Sequence, residues 1–143
     1  MTALVHYADV ENVVKAWLLT TETALSYLTR SGGFNIYLAM PLAAPMPSIV
    51  LSRVGGGPLA RKDLPEDRAR ISFACWAPSR GEAGDIARSL VADLESLARS
   101  GGWVNDDDVV LAAGEVTSVL WLPDPEADIP RYIVDALVTT VSA

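Results

Sequence analysis

Between residues 80 and 99 the apolar positions recur at intervals of three and four. Ala83, Ile86, Ala87, Leu90, Val91, Leu94, Leu97 and Ala98 fall on one face of a helix, and Arg80, Glu82, Asp85, Arg88, Glu95 and Arg99 take the remainder. Ser79 stands three residues ahead of Glu82, the spacing of a capping box, and Gly101-Gly102 after Arg99 predicts a left-handed stop. Immediately upstream, residues 70–77 alternate as a short strand that turns through Pro78-Ser79 into the helix. Burying the large aliphatics of the helical face contributes roughly 8 to 15 kcal/mol gross before conformational entropy is subtracted. Such a helix requires a sheet to lie on.

Elsewhere the pattern is shorter. Val10, Val13, Val14, Trp17 and Leu18 line one side of a first helix that Asp9 can cap, with Glu11 in its first turn. Thr20-Thr21 interrupts the stripe, and Ala24, Leu25 and Leu28 either extend it or form a second short helix ending at residues 31–33. Extended patterns follow at residues 36–40 and 48–54, across a corner rich in proline. Residues 55–67 carry glycines, prolines and both charges without periodicity, which predicts a long connection, mobile in the free subunit and ordered on assembly. Residues 109–122 read as one long strand or as two bent at Gly114, residues 123–130 as a turn, and residues 131–141 as a final alternating strand. The elements make one α+β domain over residues 1–143, with a sheet of about four to five strands.

Composition narrows the class. The chain has 143 residues, enough to close a core without staples, and Cys75 is its only cysteine, so neither an intrachain disulfide nor a thiolate zinc cluster is possible and a reducing compartment fits. The N-terminus has no basic region or apolar core of signal-peptide length, and the most apolar stretch, residues 38–51, is broken by Pro41, Pro45 and Pro47, which argues against a membrane span. A net charge of -7 with 11 Lys+Arg argues against sequence-independent nucleic-acid binding, because phosphate affinity comes mainly from basic side chains. A mean hydropathy of +0.26 with 50% hydrophobic residues is high for a small soluble monomer and shifts the expectation towards subunit interfaces.

The search for chemistry ends empty. His6, the single histidine, has no second histidine or cysteine beside it to complete a metal site. Cys75 sits in a strand without a thiolate activator and reads as a buried, inert thiol. Asn105 to Asp108 is acidic but lacks the glycine and terminal glutamate of an EF-hand, so it reads as a solvated turn. Gly55-Gly56-Gly57 is followed by no Gly-Lys-Ser/Thr, and Lys62 is not at Walker spacing. No Gly-x-Ser-x-Gly elbow exists, and Trp17, Trp76, Trp103 and Trp121 read as core or interface anchors. No catalytic residue, cofactor or metal is expected.

Three motifs carry a resemblance: Arg53-Val-Gly-Gly56 at a strand end, the turn Trp76-Ala-Pro-Ser-Arg-Gly-Glu-Ala83, and Pro123-Asp-Pro followed by Pro130-Arg-Tyr-Ile133 opening the last strand. In this order, over nearly the whole chain, they resemble the tail terminator (tail completion) family of long-tailed bacteriophages. The resemblance implies an α+β subunit with a mixed or antiparallel sheet and helices packed on one side. It implies a ring, commonly hexameric, that caps the head-proximal end of the tail tube, ends tube polymerisation and joins the tail to the head connector. The partners implied are further copies of the chain, the tail tube protein and the connector or stopper protein, with DNA passing through the lumen without specific binding. The implied location is the tail or neck of the virion, assembled in the host cytoplasm. Arg53, Gly55, Gly56, Leu59, Arg61, Lys62, Leu64 and Asp67 are the candidates for the interface between subunits or rings. Two rival classes are a neighbouring neck, stopper or head completion subunit, and a small-molecule-binding α+β domain, which would need a polar pocket with perturbed titratable groups.

Overall fold

Helix α1 (Val10–Leu18) starts at Asp9, whose carboxylate accepts the Asn12 N–H at 3.4 Å, and buries Val10, Val13, Val14, Trp17 and Leu18. The Thr20 and Thr21 hydroxyls donate back to the carbonyls of Trp17 and Leu18 at 2.6 Å each, which closes α1, and Thr21 then caps α2 (Glu22–Tyr27). The interrupted stripe is therefore two helices. These relations come from a computed structural model that describes residues 7–30, 33–41, 46–59, 66–106, 109–125 and 128–141.

After a two-residue antiparallel pair, β1 (Thr29–Arg30) with β2 (Gly33–Phe34), the chain builds one six-stranded mixed sheet. Its strands are β3 (Ile36–Tyr37), β4 (Ser48–Leu59), β5 (Glu66–Trp76), β6 (Trp103–Val104), β7 (Val110–Trp121) and β8 (Arg131–Val141), in the order β3-β4-β5-β8-β7-β6. The pairs β4-β5, β5-β8, β8-β7 and β7-β6 are antiparallel, and β3 runs parallel to β4. Helix α3 (Arg80–Arg99) connects β5 to β6 and β7 across the sheet.

One face of the sheet holds the core. By register Leu51, Phe73 and Val134 share a row, as do Ile71 and Ala136, and Ala69 and Val138; α1 and α3 cover all of them. Ile86, Leu90, Leu94 and Leu97 of α3 are buried against this face, while Ala98, expected on it, is exposed. Ser79 Oγ accepts the Glu82 N–H at 3.2 Å, the forward half of the capping box; among the described residues the return bond from Glu82 is not formed. Gly101, at φ +84, supplies the left-handed stop. Thr23 ties α2 to α3 through the Ser89 hydroxyl and the Asp93 carboxylate.

Two expectations need correction. The sheet has six strands instead of four to five, because the two-residue β6 joins one edge; at the other edge β3 is the strand expected at residues 36–40, shortened to two residues. The connection expected over residues 55–67 is largely strand: β4 continues to Leu59 and β5 begins at Glu66, with Gly55↔Arg70, Gly56↔Ala69, Gly57↔Arg68, Pro58↔Asp67 and Leu59↔Glu66 in register. A ladder is made by backbone groups, so three glycines can hold it without any side-chain alternation. Of the two readings of residues 109–122, one long strand holds: β7 bends at two bulges, between Leu111 and Ala113 and between Val116 and Ser118, and not at Gly114. Gly114 marks instead a close approach of α3, since a Cβ there would lie 3.0 Å from Leu94 Cδ2 and 3.1 Å from its carbonyl oxygen.

Candidate functional site

The motif Arg53-Val-Gly-Gly56 builds a corner at the sheet margin. A bulge between Arg53 and Gly55 turns β4, and the Arg53 guanidinium reaches Asp67 on β5 through two hydrogen bonds of 2.6 and 2.7 Å. Its Nε donates to the Gly55 carbonyl at 3.1 Å, and the Arg53 backbone N–H donates to Glu11 of α1 at 3.3 Å. Asp67 is buried at 3% exposure, and this fork supplies the partner its carboxylate needs. The hydrogen bond to Asp67 holds the Arg53 pKa above its ordinary value, burial opposes this, and the charges of Asp67 and Glu11 add to it. Gly56 has φ +82, and a Cβ there would stand 2.1 Å from the Arg68 carbonyl oxygen, so only glycine fits. The corner fixes β4 to β5 and α1; its polar groups are spent on one another.

The sheet face opposite the helices is organised in rows. Val50, Ala74, Ile133 and Leu120 form an apolar row across β4, β5, β8 and β7. Ser52, Ser72, Asp135 and Ser118 form the next, and Gly55, Arg70, Leu137 and Glu115 the one after. Leu120 is half exposed on this face, at 51%, while Val119, at 49%, stands beside Val134 on the helix side. Arg68 reaches Glu115 at 3.4 Å across β8, an exposed pair worth little by itself. Trp76 closes one end of this face beneath Arg131, whose guanidinium carbon lies 4.9 Å from the ring centroid. Alternation along the four strands sets the helix-covered core against this half-exposed second face.

Of the predicted interface residues, Arg53, Gly55, Gly56 and Asp67 meet at the corner, and the backbone of Leu59 ends β4. Arg61, Lys62 and Leu64 lie outside the described residues, as do His6, Asp107 and Asp108. Asn105 Oδ1 accepts the Val109 N–H at 2.9 Å, and Asp106 is exposed. Sequence reasoning missed Glu11 as a partner of the corner and the row structure of the open face, both of which depend on which strands become neighbours. The alternation of β8, with Ile133, Asp135 and Leu137 on one side, was the available signal.

Two depressions flank Trp103. One, of about 570 Å³, lies between α1 and the turn after β6 and is lined by Val13, Ala16, Leu19, Trp103 and Val109 with Asp9 and Asp106 at its rim. The other, of about 270 Å³, is lined by Trp17, Glu22, Asp93 and Leu97 among others. Among the described residues no three His, Cys, Asp or Glu side chains converge to hold a metal ion, and no helix is long and apolar enough to cross a membrane. Burial pushes the Cys75 thiol up to about 12, away from any nucleophilic role.

No family model and no curated protein matches the chain. Among solved structures, a chain of the virion of a native gene transfer agent particle superposes with a TM-score of 0.54 at 14% sequence identity, covering 76% of this chain and 79% of that one. The two chains share a fold.

Proposed function

We propose that this chain is a structural subunit of a phage-like virion, the tail terminator, which forms a ring on the head-proximal end of the tail tube and joins it to the head connector. The observation that carries the reading is the half-covered sheet, whose second face and free margin are surfaces built for neighbours. The order of the three motifs and the fold shared with a virion chain support it. So does the polar chemistry of the corner, which is consumed in holding strands together and leaves nothing aimed at a substrate. In this role the protein has no catalytic turnover, binds other copies of itself and the tail tube protein, and resides in the tail or neck.

The test is the mass of the purified protein by native mass spectrometry and light scattering, with and without tail tube subunits. A closed oligomer that co-purifies with tube and stops its growth is expected. A monomer that ignores tube overturns the reading, and co-purification with portal in place of tube reassigns the chain to the stopper or head completion side of the neck.

A further inference from the structure

We infer that the end of the β4–β5 hairpin of one copy, residues 59–66, docks in the groove between α1 and β6 of the next copy, with Arg61 and Lys62 at the acidic rim. The inference rests on the ring reading and names the contact that joins neighbours.

The groove is the larger of the two depressions beside Trp103, about 570 Å³ in volume. Its lining is apolar and incompletely covered: Ala16, Leu19, Trp103 and Val109 face it, and all four are half-buried. The β6 wall is fixed in place. Gly101 and Gly102 hold φ of +84 and +110, and a Cβ on Gly102 would lie 2.8 Å from the Leu111 carbonyl oxygen, so the chain runs tight against β7 just before Trp103. Beyond β6, Asn105 donates its N–H to the Val109 carbonyl at 3.0 Å and accepts the Val109 N–H on Oδ1 at 2.9 Å. Of the two rim carboxylates Asp9 is spent on Asn12, whereas Asp106 is exposed and makes no bond among the described residues. Asp107 and Asp108 follow it in the sequence. A ready-made apolar slot edged by carboxylates takes an apolar segment that carries cations.

The hairpin end is such a segment. Arg61-Lys62 is the only adjacent pair of cationic residues in a chain of net charge -7, Leu59 and Leu64 flank it, and within residues 59–64 Asp63 alone opposes it. The described strand ends fix where the segment is displayed. Leu59, Glu66, Val141, Val110 and Val104 lie in one row across the sheet, which therefore starts at the hairpin end on β4 and finishes on β6, next to Asn105 and Asp106. Basic segment and acidic groove stand at opposite margins of the same row. Six residues joining paired strand ends extend about 10 Å at most, and β6 is three strand spacings from β5, about 14 Å, so the segment does not span the groove of its own chain. Rotation about an axis along the strands brings one copy's hairpin end to the next copy's groove without rise, and a head-to-tail contact without rise closes into a ring. Apolar insertion holds the copies together, and the rim charges select the segment that enters.

Cysteine pairing in the full chain tests this, because the native Cys75 is fully buried. A mixture of Ala16→Cys and Leu64→Cys chains is expected to give a disulfide-linked pair under mild oxidation, and the double variant a ladder that stops at a closed oligomer. Ala16→Trp, which fills the slot from a half-buried position, is expected to weaken association about 10-fold in sedimentation with unchanged circular dichroism. Asp106→Lys and Lys62→Glu are each expected to weaken it about 5-fold, and the two together to restore it. A wild type that stays monomeric at high concentration, a double cysteine variant that closes within single chains, an assembly indifferent to Ala16→Trp, or charge exchanges that do not compensate each overturns the inference. The two readings fail separately. A ring that caps tube without this crosslink removes the docking and leaves the terminator, whereas a crosslinked ring that ignores tube removes the terminator and leaves the docking.

Discussion

Asp67 is the residue on which the sheet corner turns. Its carboxylate is buried and shares both oxygens with Arg53, while Arg53 keeps part of its guanidinium in water. Replacing Asp67 with Ala removes the fork and leaves a half-buried cation beside a glycine-rich strand. The expected loss is about 1 to 3 kcal/mol, below that of a fully buried pair because Arg53 can turn towards solvent, and urea denaturation measures it. Cys75 gives a second expectation, with a pH window. Its thiol is pushed up to about 12 by burial against an ordinary value of 9.0, so the folded chain holds the proton after the unfolded chain has lost it. The stabilisation is complete below pH 9, declines as pH rises from there towards 12, and a Cys75→Ala variant should lack that part of the decline. At pH 8 an aromatic disulfide reagent should label Cys75 only as fast as the protein unfolds; prompt labelling of native protein would contradict its burial.

Helix α3, strand β8 and β5 from residue 70 onward were legible in the sequence because each repeats its period beside clear end signals, whereas the start of β5 at Glu66 was read as connection. Leu90 lies in the middle of the α3 face and is fully buried, so Leu90→Ala is expected to destabilise the subunit by about 2 to 5 kcal/mol in thermal or urea unfolding, since sheet and helix are both too constrained to close the cavity. A change below about half a kcal/mol would mean that the face is not packed. The second half of β4 was not legible: periodicity is a signal of side chains, and Gly55, Gly56 and Gly57 have none, although their backbone groups form the ladder to β5. The two-residue strands β1, β2 and β6 span a single period and depend on partners that only the tertiary fold brings near, whereas β3 falls inside the extended pattern at residues 36–40. Arg53 and Asp67 could be chosen as site residues from the sequence, yet their pairing across 14 residues followed from a register that was not readable, because the bulge shifts it by one. The Val91 and Ala98 flank was read as core for a similar reason: an apolar stripe marks what will be covered, by its own chain or by another.

At the scale of the whole molecule, charge and apolar surface act in opposite directions on assembly. Each copy carries -7, so every added copy meets growing like-charge repulsion, which reaches about 8 Å through water at physiological ionic strength and about 3 Å at 1 M salt. Against this stand apolar and backbone contacts that salt does not weaken: the half-exposed Val119 and Leu120, the Val91 and Ala98 flank, and the unpaired margin of β7. The opposite-charge pairs available at the surface, such as Arg68 with Glu115, are exposed and worth about 0 to 1 kcal/mol apiece, too little to reverse the sign. Self-association is therefore expected to strengthen as salt rises from about 0.05 to about 0.5 M, with the dissociation constant falling by roughly tenfold, followed by sedimentation at each concentration. Apolar association strengthened by screening also predicts a negative heat capacity of assembly in calorimetry, as burial of non-polar surface requires. If association weakens steadily with salt, attraction between charges holds the copies together, and the contacts must be sought where Arg68, Arg70 and Arg131 meet acidic residues, not along β7.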